Sequence, residues 1–286
     1  MTIKLIYDCD NTMGLRFREV DDGLTILYLL GRADIELVGV TTTFGNGTID
    51  EVCTQTRELL DARAGGRVPM LRGAGAAGEH DTEAAAFLAE TVAAAPGEII
   101  VLATGPLGNL AGAAARSPGF LGQVRQIACM GGVLRPLRIG WRTVAELNFS
   151  CDPEAAAAVL RAPCPVTLMN AHVCLQAPFG WRELWRASCW DRGTRRVVRN
   201  WLFAFGLACG VPVFYLWDLL PAVYLSHPEL FEEAPVTLRA SVDDLRSGTL
   251  VPKPDGAARV NMPPRLLDRG RLMELLFDAW SAPIGS

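Results

Sequence analysis

A chain of 286 residues, half of them hydrophobic, is long enough for one large α/β domain or two small ones and has ample material for a core. Its formal net charge of −4 argues against nucleic acid as the main partner, because phosphate binding needs a basic face. Lys4 and Lys253 are the only lysines, so the basic residues are almost all arginine, a bias of composition rather than a phosphate-binding signature. No two of the eight cysteines stand in C-x-x-C spacing, which gives a zinc site little support. No basic segment followed by an apolar one opens the chain, so a reduced cytoplasmic protein is expected.

The apolar run Ile3–Tyr7 predicts a buried strand. Asp21 or Asp22 is placed to cap a helix running to Leu30, with Gly31 as its stop. A β-branched strand follows over Ile35–Thr42, then helices over Ile49–Ala64 and Ala84–Ala95. Ile99–Ala103 reads as a buried strand, Leu107–Arg116 as a helix and Gln126–Met130 as a strand. Pro153–Leu160 is a helix with proline in its first turn, where the missing N–H costs little, and Val166–Met169 a further strand. From about Phe179 the chain turns helical and aromatic. The uncharged stretch from Asn200 to Trp217 approaches the ~18–20 residues of a membrane span. Gly206, Gly210 and Pro212 interrupt it, so a buried helix followed by a turn is the expectation. Short strands near Val236–Ala240 and Ala258–Asn261 precede a last helix, Leu266–Trp280.

Alternating strands and helices imply right-handed crossovers. The expected fold is α/β: a mainly parallel open sheet with helices on both faces, a helical C-terminal third, and one domain over residues 1–286.

The most informative residues are Asp8, Asp10, Asp21 and Asp22, set just after the first strand. The C-terminal edge of an open α/β sheet is where ligands bind. Carboxylates gathered there repel unless a cation holds them, and hard cations take oxygen ligands. A metal site is therefore expected at the start of the chain. Polar groups also end the later strands: Thr42-Thr43-Phe44-Gly45-Asn46, Thr104-Gly105-Pro106-Leu107-Gly108-Asn109, and Met130-Gly131-Gly132. Ala145-Glu146-Leu147-Asn148 precedes Asp152-Pro153-Glu154-Ala155-Ala156, and Trp217-Asp218 follows the apolar helix, where a lone acid needs a partner.

In this order, from about residue 3 to 230, the series resembles the inosine-uridine-preferring nucleoside hydrolase family. That family carries D-x-D-P-G-x-D-D, T-T-x-x-G-N, T-G-P-L-x-N, M-G-G, A-E-x-N…D-P-E-A-A and H-D-P. The resemblance implies a nucleoside-hydrolase-like, Rossmann-related fold and Ca²⁺-dependent cleavage of the N-glycosidic bond of a ribonucleoside or related riboside. It implies Asp10, Asp22, the Thr104 carbonyl and Asp218 as metal ligands, with Asp10 as general base for a metal-bound water. It also implies Asp21, Asn46, Glu146 and Asn148 on the ribose hydroxyls, Met130 under the sugar, and a homodimer or homotetramer. Nearby carboxylates suit this chemistry, because departure of the base leaves an oxocarbenium-like sugar.

Three departures stand out. Ten residues, Asn11–Val20, replace the tight P-G-x turn and bring Arg16, Arg18 and Glu19. A His-rich base loop is missing, the stretch Gly73–Thr82 holding only His80, and Trp217 stands where the last motif has His. His172 and Asn170, after the strand Val166–Met169, are further candidates for the site, whereas His227 reads as a surface helix end. Trp217 is placed to stack on an aromatic base.

Two competing readings remain. Asp8-Cys9-Asp10-Asn11-Thr12 also fits D-x-D-x-T, the first motif of haloacid-dehalogenase-type phosphatases, but the later lysine and acidic pair (Asp243-Asp244, Lys253) stand in the wrong order. A nucleoside- or sugar-binding protein on the hydrolase scaffold is the other, since fold alone does not establish activity.

Overall fold

The computed structural model describes residues 2–283. Its strands, in chain order, are β1 (Ile3–Cys9), β2 (Ile35–Thr42), β3 (Met70–Leu71), β4 (Ile99–Ala103), β5 (Gln126–Met130), β6 (Leu137–Ile139), β7 (Arg142–Val144), β8 (Val166–Met169), β9 (Pro178–Gly180), β10 (Val213–Tyr215), β11 (Pro235–Leu238) and β12 (Ala258–Asn261). Eight of them form one sheet in the order β11-β12-β8-β5-β4-β1-β2-β3. All neighbours in it run parallel except the edge pair β11 and β12. Two small antiparallel hairpins, β6–β7 and β9–β10, stand apart.

Period-two alternation divides each central strand between two cores. Leu5, Tyr7 and Cys9 of β1 pack on one face with Ile100 and Leu102 of β4; Ile6 packs on the other with Val101 and Ala103. Leu24 and Ile26, Val223, and Leu272 and Leu276 cover the first face, from the helices Asp21–Leu30, Leu219–Ser226 and Arg269–Ser281. Leu88, Leu110 and Val159 cover the second, from Glu83–Ala94, Gly108–Arg116 and Pro153–Leu160. Burial on both faces is why these strands read as unbroken apolar runs.

Four expectations shift. β1 continues past Tyr7 to take in Asp8, which pairs in register with Thr41 and Ala103. Thr41 Oγ1 and Asn109 Nδ2 donate to its Oδ1 at 2.6 and 2.7 Å, while its Oδ2 is buried without a partner and burial pushes the carboxyl pKa up to about 7. The cap before the first helix is Val20, with no side-chain hydrogen bond, so Asp21 and Asp22 lie in the first turn and are not its caps. The last helix starts at Arg269, not Leu266, because the Asp268 carboxylate accepts from the Arg271 N–H at 2.8 Å. The uncharged stretch opens on the second half of a helix, Arg192–Cys209, followed by a turn as expected. Phe203 and Leu207, however, stand exposed on a helix expected to be buried, and Gly210 ends it in the left-handed conformation at φ 72°. The chain then enters β10 and delivers Trp217-Asp218 to the sheet edge. No helix among the described residues is long and apolar enough to cross a membrane.

Candidate active site

The carboxylates converge beyond the C-terminal ends of β1, β2 and β4. Asp10 leaves β1 fully buried, and its Oδ2 accepts the Asn46 N–H at 2.6 Å. The turn after β2 makes that approach possible only with glycine: at Gly45, φ is +152° and a Cβ would collide with Asp10 Oδ2. Asp22 Oδ1 accepts from the Tyr7 hydroxyl and from Thr104 Oγ1, each at 2.8 Å. Asp21 Oδ2 accepts the Asp218 N–H at 3.3 Å, while its Oδ1 is buried with no partner. Glu19, half-buried in the long first loop, reaches Asp21 as well.

Burial raises the pKa of all five acids, and the charges of neighbouring acids add to the rise at Asp10, Glu19, Asp21 and Asp218. Asp10 and Asp218 are pushed well up, first by burial, then by the charges of Asp22 and Asp21 respectively. Asp21 rises to about 7, and Glu19 also rises well above its ordinary value. Asp22 rises less, because Tyr7 and Thr104 donate to it. Such a cluster stores electrostatic strain that a cation relieves.

Oxygen-only donors, mutual repulsion and the orphaned Asp21 Oδ1 fit a hard divalent ion. Among the described residues, however, no three His, Cys, Asp or Glu side chains are set as a ready-made metal cage. Ca²⁺ takes 6–8 oxygens, so the side chains would need carbonyl and water oxygens to complete the shell. The Thr104 carbonyl already accepts from Asn148 Nδ2 at 2.7 Å, leaving one lone pair for another partner.

Beside the carboxylates lies a cavity of about 360 Å³ whose wall includes Asn46, Thr104, Met130, Glu146, Asn148, Trp217 and Asp218. Asn148 also donates to the Met130 carbonyl at 3.0 Å, which ties β4, β5 and the Asn148–Cys151 helix together. Glu146 Oε1 accepts from the Gly132 and Phe149 N–H groups at 3.1 and 2.9 Å, and Oε2 from Ser150 at 2.9 Å. Its carboxylate therefore anchors that helix start while facing the cavity.

The cavity also holds residues that the sequence reading did not assign. Phe17, Arg18 and Glu19 come from the long first loop, and Trp201 and Phe205 from the helix Arg192–Cys209. The i,i+4 spacing of Trp201 and Phe205 was a visible sign that they share a face. Tyr7 was hidden as one more core residue of a buried strand. By contrast, Asn170 caps the helix Ala171–Cys174, and the His172 ring lies 3.2 Å from the Arg135 carbonyl, so neither borders the cavity. The burial and bonding of Asp8 inside β1 also leave it no role as a phosphatase nucleophile at a strand end.

A model of the family described as "Inosine-uridine preferring nucleoside hydrolase" matches residues 5–273. A rice (Oryza sativa subsp. japonica) protein named "Probable uridine nucleosidase 1" is 32% identical over 205 residues, 62% of this chain and 60% of the relative. The chain thus spans about three-fifths of that relative's length. Uridine nucleosidase 1 of Arabidopsis thaliana is 27% identical over 263 residues, 80% of this chain and 75% of the relative. Among solved structures, a plant nucleoside hydrolase superposes with a TM-score of 0.86 at 22% identity, covering 99% of this chain and 100% of the other. A purine-preferring ribonucleoside hydrolase from Gardnerella vaginalis gives 0.83, again at 22% identity, over 97% and 98% of the two chains. At that identity the superpositions speak for the fold, and the family match speaks for the rest: the chain belongs to the inosine-uridine preferring nucleoside hydrolase family.

Proposed function

We propose that this protein hydrolyses the N-glycosidic bond of a ribonucleoside or related riboside, releasing base and ribose, with Ca²⁺ as its cofactor. The observation that carries the reading is the convergence of Asp10, Asp21, Asp22 and Asp218, all buried, beside a cavity large enough for a sugar and a ring. Asp10, Asp22, Asp218 and the Thr104 carbonyl would hold the ion. When bound, Ca²⁺ supplies positive charge that makes a water easier to deprotonate and orients the sugar's diol.

The chain's own groups do the rest. Asp10, fixed by the Asn46 N–H, accepts the proton of the attacking water. Asp21, Asn46, Glu146 and Asn148 grip the ribose hydroxyls, and Met130 packs beneath the ring. As the bond to the base lengthens, the carboxylates stabilise positive charge on the sugar. Trp217 stacks on the departing base. The eight free cysteines suit a reducing compartment such as the cytoplasm. A homodimer or homotetramer is the expected assembly, to be measured by light scattering.

The test is chromatography of a ribonucleoside and deoxyribonucleoside panel incubated with the protein, with Ca²⁺ or with chelator, alongside Asp10→Asn. Free base released only by the wild type with metal supports the proposal. Saturable nucleoside binding without release would instead favour a binding protein on this scaffold.

A further inference from the structure

The cavity has two unlike halves. The carboxylates gather on one side; the other is a row of aromatic faces. Trp201, Phe205 and Trp217 line it, with the Trp201 and Phe205 centroids 5.4 Å apart; Tyr215, outside the wall, packs between Phe205 and Trp217 at 6.2 and 5.4 Å. Phe17, from the long first loop, adds a further ring to the cavity wall.

What this half lacks is a proton donor. None of the three histidines lines the cavity: His80 lies beside Asp152, His172 beside the Arg135 carbonyl, and His227 beside Arg32 and Glu229. Lys4 and Lys253 pair with Glu98 and Asp255 elsewhere. Arg18 borders the cavity, but a guanidinium does not give up its proton near neutral pH, and it is turned to the Asn46 carbonyl at 2.9 Å. Glu146 is held as an acceptor by backbone N–H groups, while Glu19 and Asp218 lie against Asp21 on the sugar side.

A neutral purine or pyrimidine nucleoside must shed its base as an anion unless a proton arrives. A quaternary N-riboside has no such need. When its C1′–N bond breaks, the electron pair passes to the ring nitrogen and a neutral pyridine departs; water adds to C1′ and its proton goes to Asp10. Aromatic faces attract a cationic ring, and the neighbouring carboxylates deepen the negative potential around it.

From the aromatic, acid-free half of the cavity we infer that the preferred substrate class is a ribosyl-pyridinium, a positively charged N-riboside whose leaving group departs neutral. This rests on the hydrolase reading above and specifies its substrate.

The experiment compares kcat/KM of the Ca²⁺-loaded protein for four substrates: 3-carbamoylpyridinium riboside, uridine, inosine and 4-nitrophenyl riboside. The last has a leaving group that needs no acid and reports the hydrolytic machinery by itself. The pyridinium riboside is expected to exceed uridine and inosine by about 100-fold, the size of effect that a missing general acid has on neutral bases. Binding is read separately by quenching of tryptophan fluorescence with N-methylpyridinium ion, which Trp201→Ala is expected to weaken about tenfold. Uridine or inosine cleaved as fast as the pyridinium riboside would overturn the inference and leave the hydrolase reading standing. Cleavage of the nitrophenyl riboside without the pyridinium riboside would do the same. Failure of all four would end both.

Discussion

The Tyr7 hydroxyl lies 2.8 Å from Asp22 Oδ1 and 2.9 Å from Thr104 Oγ1, so a residue of the buried central strand reaches the carboxylate cluster from beneath. This small triangle holds Asp22 in one orientation and lessens its pKa rise relative to its neighbours.

Tyr7→Phe removes the hydroxyl and keeps the ring. Loss of a buried hydrogen bond to a charged group is expected to cost about 1.5–3 kcal/mol of stability. Calcium affinity should fall by about tenfold, since Asp22 is no longer pre-oriented. Isothermal titration with Ca²⁺ and chemical denaturation check this; an unchanged affinity would mean that the triangle serves the fold alone.

On the proposed function, calcium is expected to stabilise the folded protein, because the unfolded chain lacks the site assigned to it. At 100 times its dissociation constant the ion is expected to add about 2.7 kcal/mol. In chelator, Asp10→Asn should melt at or above the wild-type temperature, since it removes one of several repelling charges. Calorimetry with Ca²⁺ and with chelator gives both numbers. Identical wild-type Tm values in the two conditions would count against any ion at this cluster.

Trp217→Leu keeps apolar bulk next to Asp218 and deletes the ring. KM for an aromatic-base riboside is expected to rise about tenfold, as stacking on an aromatic face is worth about 1–3 kcal/mol per base. Calcium affinity should hold. If the affinity for the ion drops and KM does not, Trp217 positions Asp218 instead of the substrate.

Away from the site, Asp191 caps the helix Arg192–Cys209 and pairs with Arg63. Burial works against its charge, but the Thr194 N–H and hydroxyl and the Arg63 guanidinium win and lower its pKa from 3.8 to about 2. A lowered folded-state pKa stabilises above the unfolded value and loses that stabilisation as pH falls through the folded one. Asp191→Ala is therefore expected to cost about 1 kcal/mol at neutral pH, as for other lost caps. The gap to wild type should narrow between pH 4 and 2, the window bounded by those two values. Urea titrations across that range measure it; a gap independent of pH would assign the loss to packing.

The sheet was legible because doubly covered strands leave long apolar runs with polar residues at their ends. Asp10, Asp22, Asn46, Thr104, Asn148 and Asp218 all carried local signals of that kind, and the fold gathers them at one edge. Element ends were less visible: Asp8 lies inside β1, where Thr41 and Asn109, distant in sequence, donate to one of its two oxygens. The aromatic wall was out of reach for the same reason. Trp201 and Phe205 belong to a helix whose outward Phe203 and Leu207 are equally apolar, and only packing against Tyr215 and Trp217 tells the two faces apart.

Nearly every group assigned to the sugar sits on, or is hydrogen-bonded to, the ends of β1, β2, β4 and β5, whereas Phe17, Trp201, Phe205 and the β6–β7 hairpin residues Leu137 and Val144 come from outside the large sheet. On the proposed function, selectivity and reactivity thus have largely separate addresses in the chain. Under that proposal, drift in the long helix would exchange one leaving group for another and leave the carboxylate cluster intact, whereas the first loop also carries Glu19 against Asp21. The same division makes those outer segments the natural place to graft or randomise when a different riboside is wanted.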